Sequence, residues 1–230
     1  MMIGIIAAED LEVQAILKTM DSVSQKNIHD YTFYEGKMGD KDVVLLKGGI
    51  GKVNAAIGTT LLLYHYPIEG VINCGVAGGI HQEHNVGDVI IATDLIHYDV
   101  DVTSFGRELG QIPGLPTVFE TDLHYKEVME DVLKTFQYPA YQGTIVSGDQ
   151  FVARQNQVDY ILKNFPQAQC VEMEGASLAQ VCYLMKVPFI VIRSLSDVFG
   201  KEENKVQYDI YLEKASQISA NVCKKFITKI

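Results

Sequence analysis

The sequence predicts an α/β fold in which a central, twisted, mixed β-sheet is flanked by helices. Three observations carry this. Short apolar runs alternate with segments of helical period along almost the whole chain. Several of those runs are continuously apolar, as strands covered on both faces are. One pair of strands is joined by a tight turn, so the sheet is mixed and not purely parallel. The 230 residues fill one core well and are short for two, and no repeat or linker divides them. A single domain, 1–230, is expected.

Each element follows from its local pattern. Ile3–Ala7 is a short apolar strand, and Glu9–Met20 places Leu11, Val13, Ile16, Leu17 and Met20 at helical spacing. Tyr31–Lys37 and Asp42–Lys47 flank Met38-Gly39-Asp40-Lys41 as a hairpin. A glycine-rich turn, Gly48–Gly51, opens a helix from about Lys52 to Tyr66. A strand at Gly70–Cys74, a second glycine-rich turn at Gly75–Gly79 and a strand at Asp88–Thr93 come next. Asp99–Val118, with Pro113, Pro116, Gly106, Gly110 and Gly114, reads as a long functional loop. A helix at Asp122–Phe136, a strand at Tyr141–Ser147 and a helix at Gln155–Asn164 follow. The chain ends with a short strand at Gln169–Val171, a helix at Met173–Met185, a strand at Pro188–Arg193 and a helix at Gln207–Phe226.

Composition removes several function classes. With 19 basic against 29 acidic side chains the net charge is −10, a poor match for a nucleic-acid backbone. Only Arg107, Arg154 and Arg193 are arginines, too few for an arginine-rich phosphate clamp. The apolar stretch Val53–Pro67 is too short to span a bilayer and contains Asn54 and His65. The N-terminus lacks a basic region and meets Glu9, Asp10 and Glu12 at once, so no signal peptide is expected. Cys74, Cys170, Cys182 and Cys223 form no Cys-x-x-Cys pair and read as reduced core thiols of a cytoplasmic protein. No nucleic-acid or membrane partner and no cofactor is expected.

Ligands of open α/β sheets bind beyond the carboxyl ends of strands. Four such places carry chemistry here: Glu12 after the first strand, Gly75–Gly79, Glu172-Met173-Glu174, and Ser194-Leu195-Ser196-Asp197. Each has an ordinary reading, as dipole partner, turn or helix cap; their convergence on one sheet edge is what makes them a site. Gly48-Gly49-Ile50-Gly51-Lys52 lacks the spacing of a P-loop, and Gly75–Gly79 is no dinucleotide fingerprint. His81 and His84 lack a third metal ligand, so no metal is expected. Ser147 stands in no Gly-x-Ser-x-Gly elbow.

In order along the chain, the stretches Ile3–Ile6 with Glu12-Val13, Gly49–Ala56, Asn73–Gly79, His97–Thr103, Phe105-Gly106, Gly110–Pro113, Ile145–Phe151, Val171–Glu174, Val187–Phe189 and Arg193–Asp197 resemble the 5′-methylthioadenosine/S-adenosylhomocysteine nucleosidases of the purine nucleoside phosphorylase superfamily. The resemblance runs in register over nearly the whole chain. It implies a nucleoside phosphorylase-like fold and hydrolysis of the bond between adenine N9 and ribose C1′ in methylthioadenosine and S-adenosylhomocysteine, with 5′-deoxyadenosine as a further substrate, as in methionine salvage and the activated methyl cycle. By position it makes Asp197 the acid at N7, Glu12 the base that activates water, and Glu174 the group that binds ribose hydroxyls. Met173 and Phe151 would flank ribose and base, the Val152 backbone would read the adenine edge, and Ala77 and Gly78 would line the nucleoside site. Ile50 would lie on the alkylthio side, and Ser196 and Arg193 join the substrate-binding set. The resemblance also implies a homodimer in which Val102, Phe105 and Pro113 of one subunit cover the other's site.

Adenine is a poor anionic leaving group, so an acid at N7 suits the reaction, and a carboxylate suits the oxocarbenium character left on the sugar. The chain departs from the family's usual residues at Ala7, Glu9, Val76 and Gly175. Glu9, in place of Met, adds charge beside the water site. The family's aromatic residue after Asp197 corresponds either to Tyr208 or, without a gap, to Gln207. A phosphorylase, a nucleoside-binding protein and a futalosine- or AMP-directed hydrolase are the other readings. A phosphorylase needs a cationic phosphate pocket, yet Glu12 stands where the nucleophile would be and arginines are scarce. AMP needs cationic groups for its 5′-phosphate, and the apolar set Ile50, Val102, Phe105 and Pro113 speaks against it. The sequence does not rank methylthioadenosine against S-adenosylhomocysteine.

Overall fold

The structure, a computed structural model, describes residues 1–136, 138–201 and 204–230, with the side chains of 204–207 outside the description. Gln207 therefore lies outside the residues whose side chains can be placed. The strands are β1 (Met2–Ala7), β2 (Asp21–Ile28), β3 (Tyr31–Met38), β4 (Lys41–Lys47), β5 (Ile68–Gly79), β6 (Val89–His97), β7 (Phe119–Glu120), β8 (Ala140–Ser147), β9 (Ala168–Glu172) and β10 (Phe189–Val198). The helices are α1 (Asp10–Leu17), α2 (Lys52–His65), α3 (Leu123–Leu133), α4 (Gln155–Asn164), α5 (Gly175–Met185) and α6 (Asn204–Ile227).

All ten strands form one mixed sheet. β1 lies between β4 and β5 and is parallel to both. β3 pairs antiparallel with β4, closing the expected hairpin, and β2 adds the outer edge. On the other side β5, β10, β6, β8 and β9 pair in succession, and β9 returns to β5. The sheet thus closes on itself at this end.

Strand residues alternate between two cores. Val43, Leu45, Ile190 and Ile192 face α1, α3 and α6, whereas Val44, Leu46 and Val191 face α2 and α5. Both faces are buried, which is why these strands are apolar throughout. Burying each such side chain contributes about 1.5–3 kcal/mol. A third, smaller cluster joins Val158 and Ile161 of α4 to Ile96, Tyr98 and Val146.

Three expectations need correction. β2 was not expected: its sequence, DSVSQKNI, is polar and almost wholly exposed, so it carries no alternation to read and behaves as a charged edge strand. Gly75–Gly79 is not a turn but the second half of β5, where it pairs with β10 and β9. Ser194–Asp197 likewise continues β10, paired with Val76–Gly78. The two strands run side by side into the place where loops were expected.

Candidate active site

A cleft of about 310 Å³ opens where β1, β5, β9 and β10 end. Glu12 reaches it from α1. The chain leaves β1, takes an extended conformation at Glu9, the residue that caps α1, and places Glu12 at the third helical position. There the carboxylate answers unpaired amides of the helix start. Oε2 accepts hydrogen bonds from the backbone N–H of Ala8 (2.8 Å) and Glu9 (3.0 Å), and Oε1 from that of Val76 (2.9 Å). The side chain is 5 % exposed. Burial pushes its pKa up, against Arg193 and the three backbone donors, which pull it down. A carboxylate so placed takes up a proton more readily than a solvated one, as a general base must.

Asp197 comes from the facing wall, on β10, and is 2 % exposed. The Ser196 hydroxyl donates to its Oδ1 at 2.8 Å. Gly78 of β5 leaves the space that the carboxyl occupies: a methyl group on Gly78 would lie 3.3 Å from Asp197 Oδ2. The glycines here permit a carboxyl group to lie against a strand; they do not make a turn.

Glu174 caps the start of α5 and accepts a hydrogen bond at 2.8 Å from the N–H of Gly51. Gly51 has φ of 93° at the start of α2, a conformation suited to glycine. Burial is the first cause that pushes the Glu174 pKa well up; Glu172 adds to it, Arg193 and the Gly51 amide oppose it, and Glu12 raises it further.

Below the cleft Arg193 is 2 % exposed and bonds to Glu172 Oε2 at 2.6 Å and to Asn73. Glu172 also accepts from Ser147 and from the amides of Glu174 (3.0 Å) and Gly175 (2.7 Å). Burial opposes the charge of Arg193, but Glu172, Glu174 and Glu12 outweigh it. This is a correction: Arg193 does not line the cleft, because its guanidinium is engaged beneath it.

The other expected residues divide cleanly. Ile50, Ala77, Gly78, Phe151, Val152, Met173, Glu174 and Ser196 line the cleft with Glu12 and Asp197. Val102, Phe105 and Pro113 do not line it in their own chain. Glu9, expected beside the water site, and Tyr208, one of the two candidates for the aromatic position after Asp197, also line the cleft. So do Ala8, Val76, Gln150, Val171 and Glu172, which had no expected role. Tyr208 approaches Phe151 edge to face, with ring centroids 5.8 Å apart, and donates a hydrogen bond to Glu9. No lysine or arginine is among the residues described as lining the cleft. Among the described residues no group of three His, Cys, Asp or Glu is placed to hold a metal ion. His81 and His84 stack edge to face, 5.6 Å apart.

A closed mixed sheet with buried carboxyl groups meeting at its strand ends defines an enzyme site of the phosphorylase superfamily, and residues 2–228 match the family profile described by that name. The chain is 44% identical over 228 residues to the 5′-methylthioadenosine/S-adenosylhomocysteine nucleosidase of Bacillus pumilus (strain SAFR-032), covering 99% of this chain and 98% of that protein. It superposes with a TM-score of 0.96 on the crystal structure of the nucleosidase of the same name from Neisseria meningitidis in complex with methylthio-immucillin-A, at 37% identity over 100% of this chain and 99% of that one. The native structure of futalosine hydrolase of Helicobacter pylori strain 26695 is similar as well, with a TM-score of 0.93 at 32% identity over 99% of this chain and 97% of that one. The chain belongs to the 5′-methylthioadenosine/S-adenosylhomocysteine nucleosidase family.

Proposed function

We propose that the protein hydrolyses the N-glycosidic bond of 5′-methylthioadenosine and S-adenosylhomocysteine, and also that of 5′-deoxyadenosine, releasing adenine and the 5-substituted ribose. One observation carries this reading. Three acidic groups, Glu12, Glu174 and Asp197, converge from separate elements on one cleft whose described lining holds no cationic side chain. An uncharged nucleoside with a cationic transition state fits such a cleft; a phosphate nucleophile or a 5′-phosphate does not.

Asp197 delivers a proton to adenine N7 as the bond to C1′ breaks, so that the base leaves neutral. Glu12 orients a water molecule on the opposite face of the sugar and takes its proton as the new bond to C1′ forms. Glu174 hydrogen-bonds the ribose hydroxyls, and the carboxylate of Glu12 favours the oxocarbenium character of the ring. Phe151 and Met173 flank base and ribose, the Val152 backbone reads the adenine edge, Ala77, Gly78 and Ser196 complete the nucleoside site, and Ile50 receives the alkylthio group.

The working unit is a homodimer in which the loop bearing Val102, Phe105 and Pro113 covers the partner's cleft. The support is physical. Asp99 is paired with Lys52, which roots the loop beside α2, and Asp101 braces the turn Thr103–Phe105. Phe105 is nevertheless 85 % exposed, and Val53 and Ile57 are exposed nearby in sequence to the rooted end of α2, an apolar surface suited to a second copy. A cytoplasmic location fits four free, buried cysteines. No helix of the described residues is long and apolar enough to cross a membrane.

Adenine release from methylthioadenosine, S-adenosylhomocysteine, 5′-deoxyadenosine, futalosine and AMP, with and without phosphate, tests the activity. Cleavage of the thioethers without phosphate is the expected result, with kcat reduced by about 10²–10⁴-fold in Asp197→Asn and Glu12→Gln. Faster cleavage of AMP or futalosine, or a requirement for phosphate, contradicts it.

A further inference from the structure

Among the described residues, two acidic side chains that line the cleft take no part in the reaction: Glu172, which is paired with Arg193, and Glu9. Glu9 lines it, half-buried, beside the apolar surfaces of Ile50 and Phe151. A carboxylate in such a place loses hydration and needs a donor in return. That donor is the phenol of Tyr208, from the start of α6. Burial raises the Tyr208 pKa far above its ordinary value, and the hydrogen bond to Glu9 raises it further, so the phenol keeps the proton it donates.

The pair joins two parts of the site. Tyr208 sets its ring edge to face against Phe151, with an interplanar angle of 79°. The backbone N–H of Glu9 donates to Glu12 Oε2. One residue therefore holds the aromatic wall with its side chain and the proposed base with its backbone. The Met that the family resemblance places at this position offers only a weak thioether acceptor and no charge.

We propose that Glu9 and Tyr208 are positioning residues for the nucleosidase reaction: their hydrogen bond fastens the start of α6 to the start of α1 and so holds the Tyr208–Phe151 wall against the substrate. The proposal rests on the activity proposed above. The bond acts on substrate binding more than on the chemical step, because neither side chain is assigned a proton transfer.

Steady-state kinetics on methylthioadenosine with Tyr208→Phe, Glu9→Ala and Glu9→Gln tests it. Tyr208→Phe and Glu9→Ala should each raise KM about tenfold and change kcat by less than about threefold, the size expected for a partly exposed hydrogen bond to a charged group. Glu9→Gln keeps an oxygen acceptor for the phenol and should stay within about threefold of the wild-type KM. The double variant Tyr208→Phe/Glu9→Ala should be no worse than either single one. Amide hydrogen exchange at Asp209–Leu212, measured without substrate, should quicken about tenfold in Tyr208→Phe and not in Glu9→Gln. An unchanged KM in Tyr208→Phe, additive effects in the double variant, or unchanged exchange overturns the proposal. Failure of the wild type to release adenine overturns the activity instead, and the exchange measurement still judges the hydrogen bond.

Discussion

Gly75 lies directly against the Glu12 carboxylate: a methyl group on Gly75 would overlap Oε1 and approach Cδ to 3.0 Å. The next amide, that of Val76, donates to the same oxygen. The missing side chain is what lets the backbone of β5 serve as the wall and the donor for the proposed base. Gly75 is not among the glycines at positive φ, so alanine there brings no backbone strain and acts through Glu12. We expect Gly75→Ala to lower kcat about 10²-fold, the scale of a displacement near 1 Å in a reacting group. Turnover of the purified variant, with circular dichroism as the check on folding, measures it; wild-type turnover would mean that Glu12 is not held by this contact.

Glu174 should make the protein less stable as pH rises. Its folded pKa is raised from an ordinary 4.5, first by burial. Below that ordinary value both folded and unfolded states are protonated, and the group costs nothing. Above it the unfolded chain ionises first, so stability falls until pH passes the raised folded value and is constant beyond. Glu174→Gln keeps an oxygen for the Gly51 amide and removes the charge. Its Tm should exceed the wild type's by about 2–4 °C at pH 8, with the difference vanishing near pH 4, on the basis that about 1 kcal/mol moves Tm by that much at this chain length. Calorimetric scans at both values decide. The same variant should lose activity, a trade of function for stability.

The buried pair Arg193–Glu172 gives the opposite outcome. Removing one partner leaves a charge buried without its counterion, at a cost of about 3–5 kcal/mol. Arg193→Met should therefore lower Tm by roughly 6–20 °C. Arg193→Met combined with Glu172→Gln should recover part of the loss, because Glu172 then brings no charge stripped of its direct partner. Thermal melts of the two singles and the double form the cycle, and a double variant no more stable than Arg193→Met would mean that the pair is not the cause.

These cases also explain what the sequence could be made to say. β1, β4 and the first half of β10 were legible because burial on both faces requires an unbroken apolar run, and α4 because its polar and apolar residues separate by face. β2 has neither signal. The glycine stretch Gly75–Gly79 reads as a turn because glycine favours turns; its actual purpose, room for Glu12 and Asp197, depends on strands distant in sequence. Arg193 joins the substrate contacts only through the resemblance, in which it belongs to the same stretch as Asp197, but in β10 its side chain reaches Asn73 and Glu172. Glu9 and Tyr208 are 199 positions apart, and nothing local to either one announces the other.

Phe105 provides the test of the dimer. If its loop covers the partner's cleft, a site contains Asp197 of one chain and Phe105 of the other. Phe105→Ala then damages every site of its own homodimer by removing apolar contact, with KM for methylthioadenosine raised about tenfold or more, since burying such a side chain is worth about 1.5–3 kcal/mol. Asp197→Asn removes the acid from every site of its homodimer. Co-refolding the two variants changes the count: in the mixed dimer, the site that keeps Asp197 is covered by the chain that keeps Phe105. That one site is intact, whereas the other carries both defects. Activity at low substrate concentration should therefore rise on mixing, above the sum of the two separate preparations. Light scattering should give a dimer mass throughout. A loop that served its own chain would produce no such gain, because mixing would then bring no intact site together.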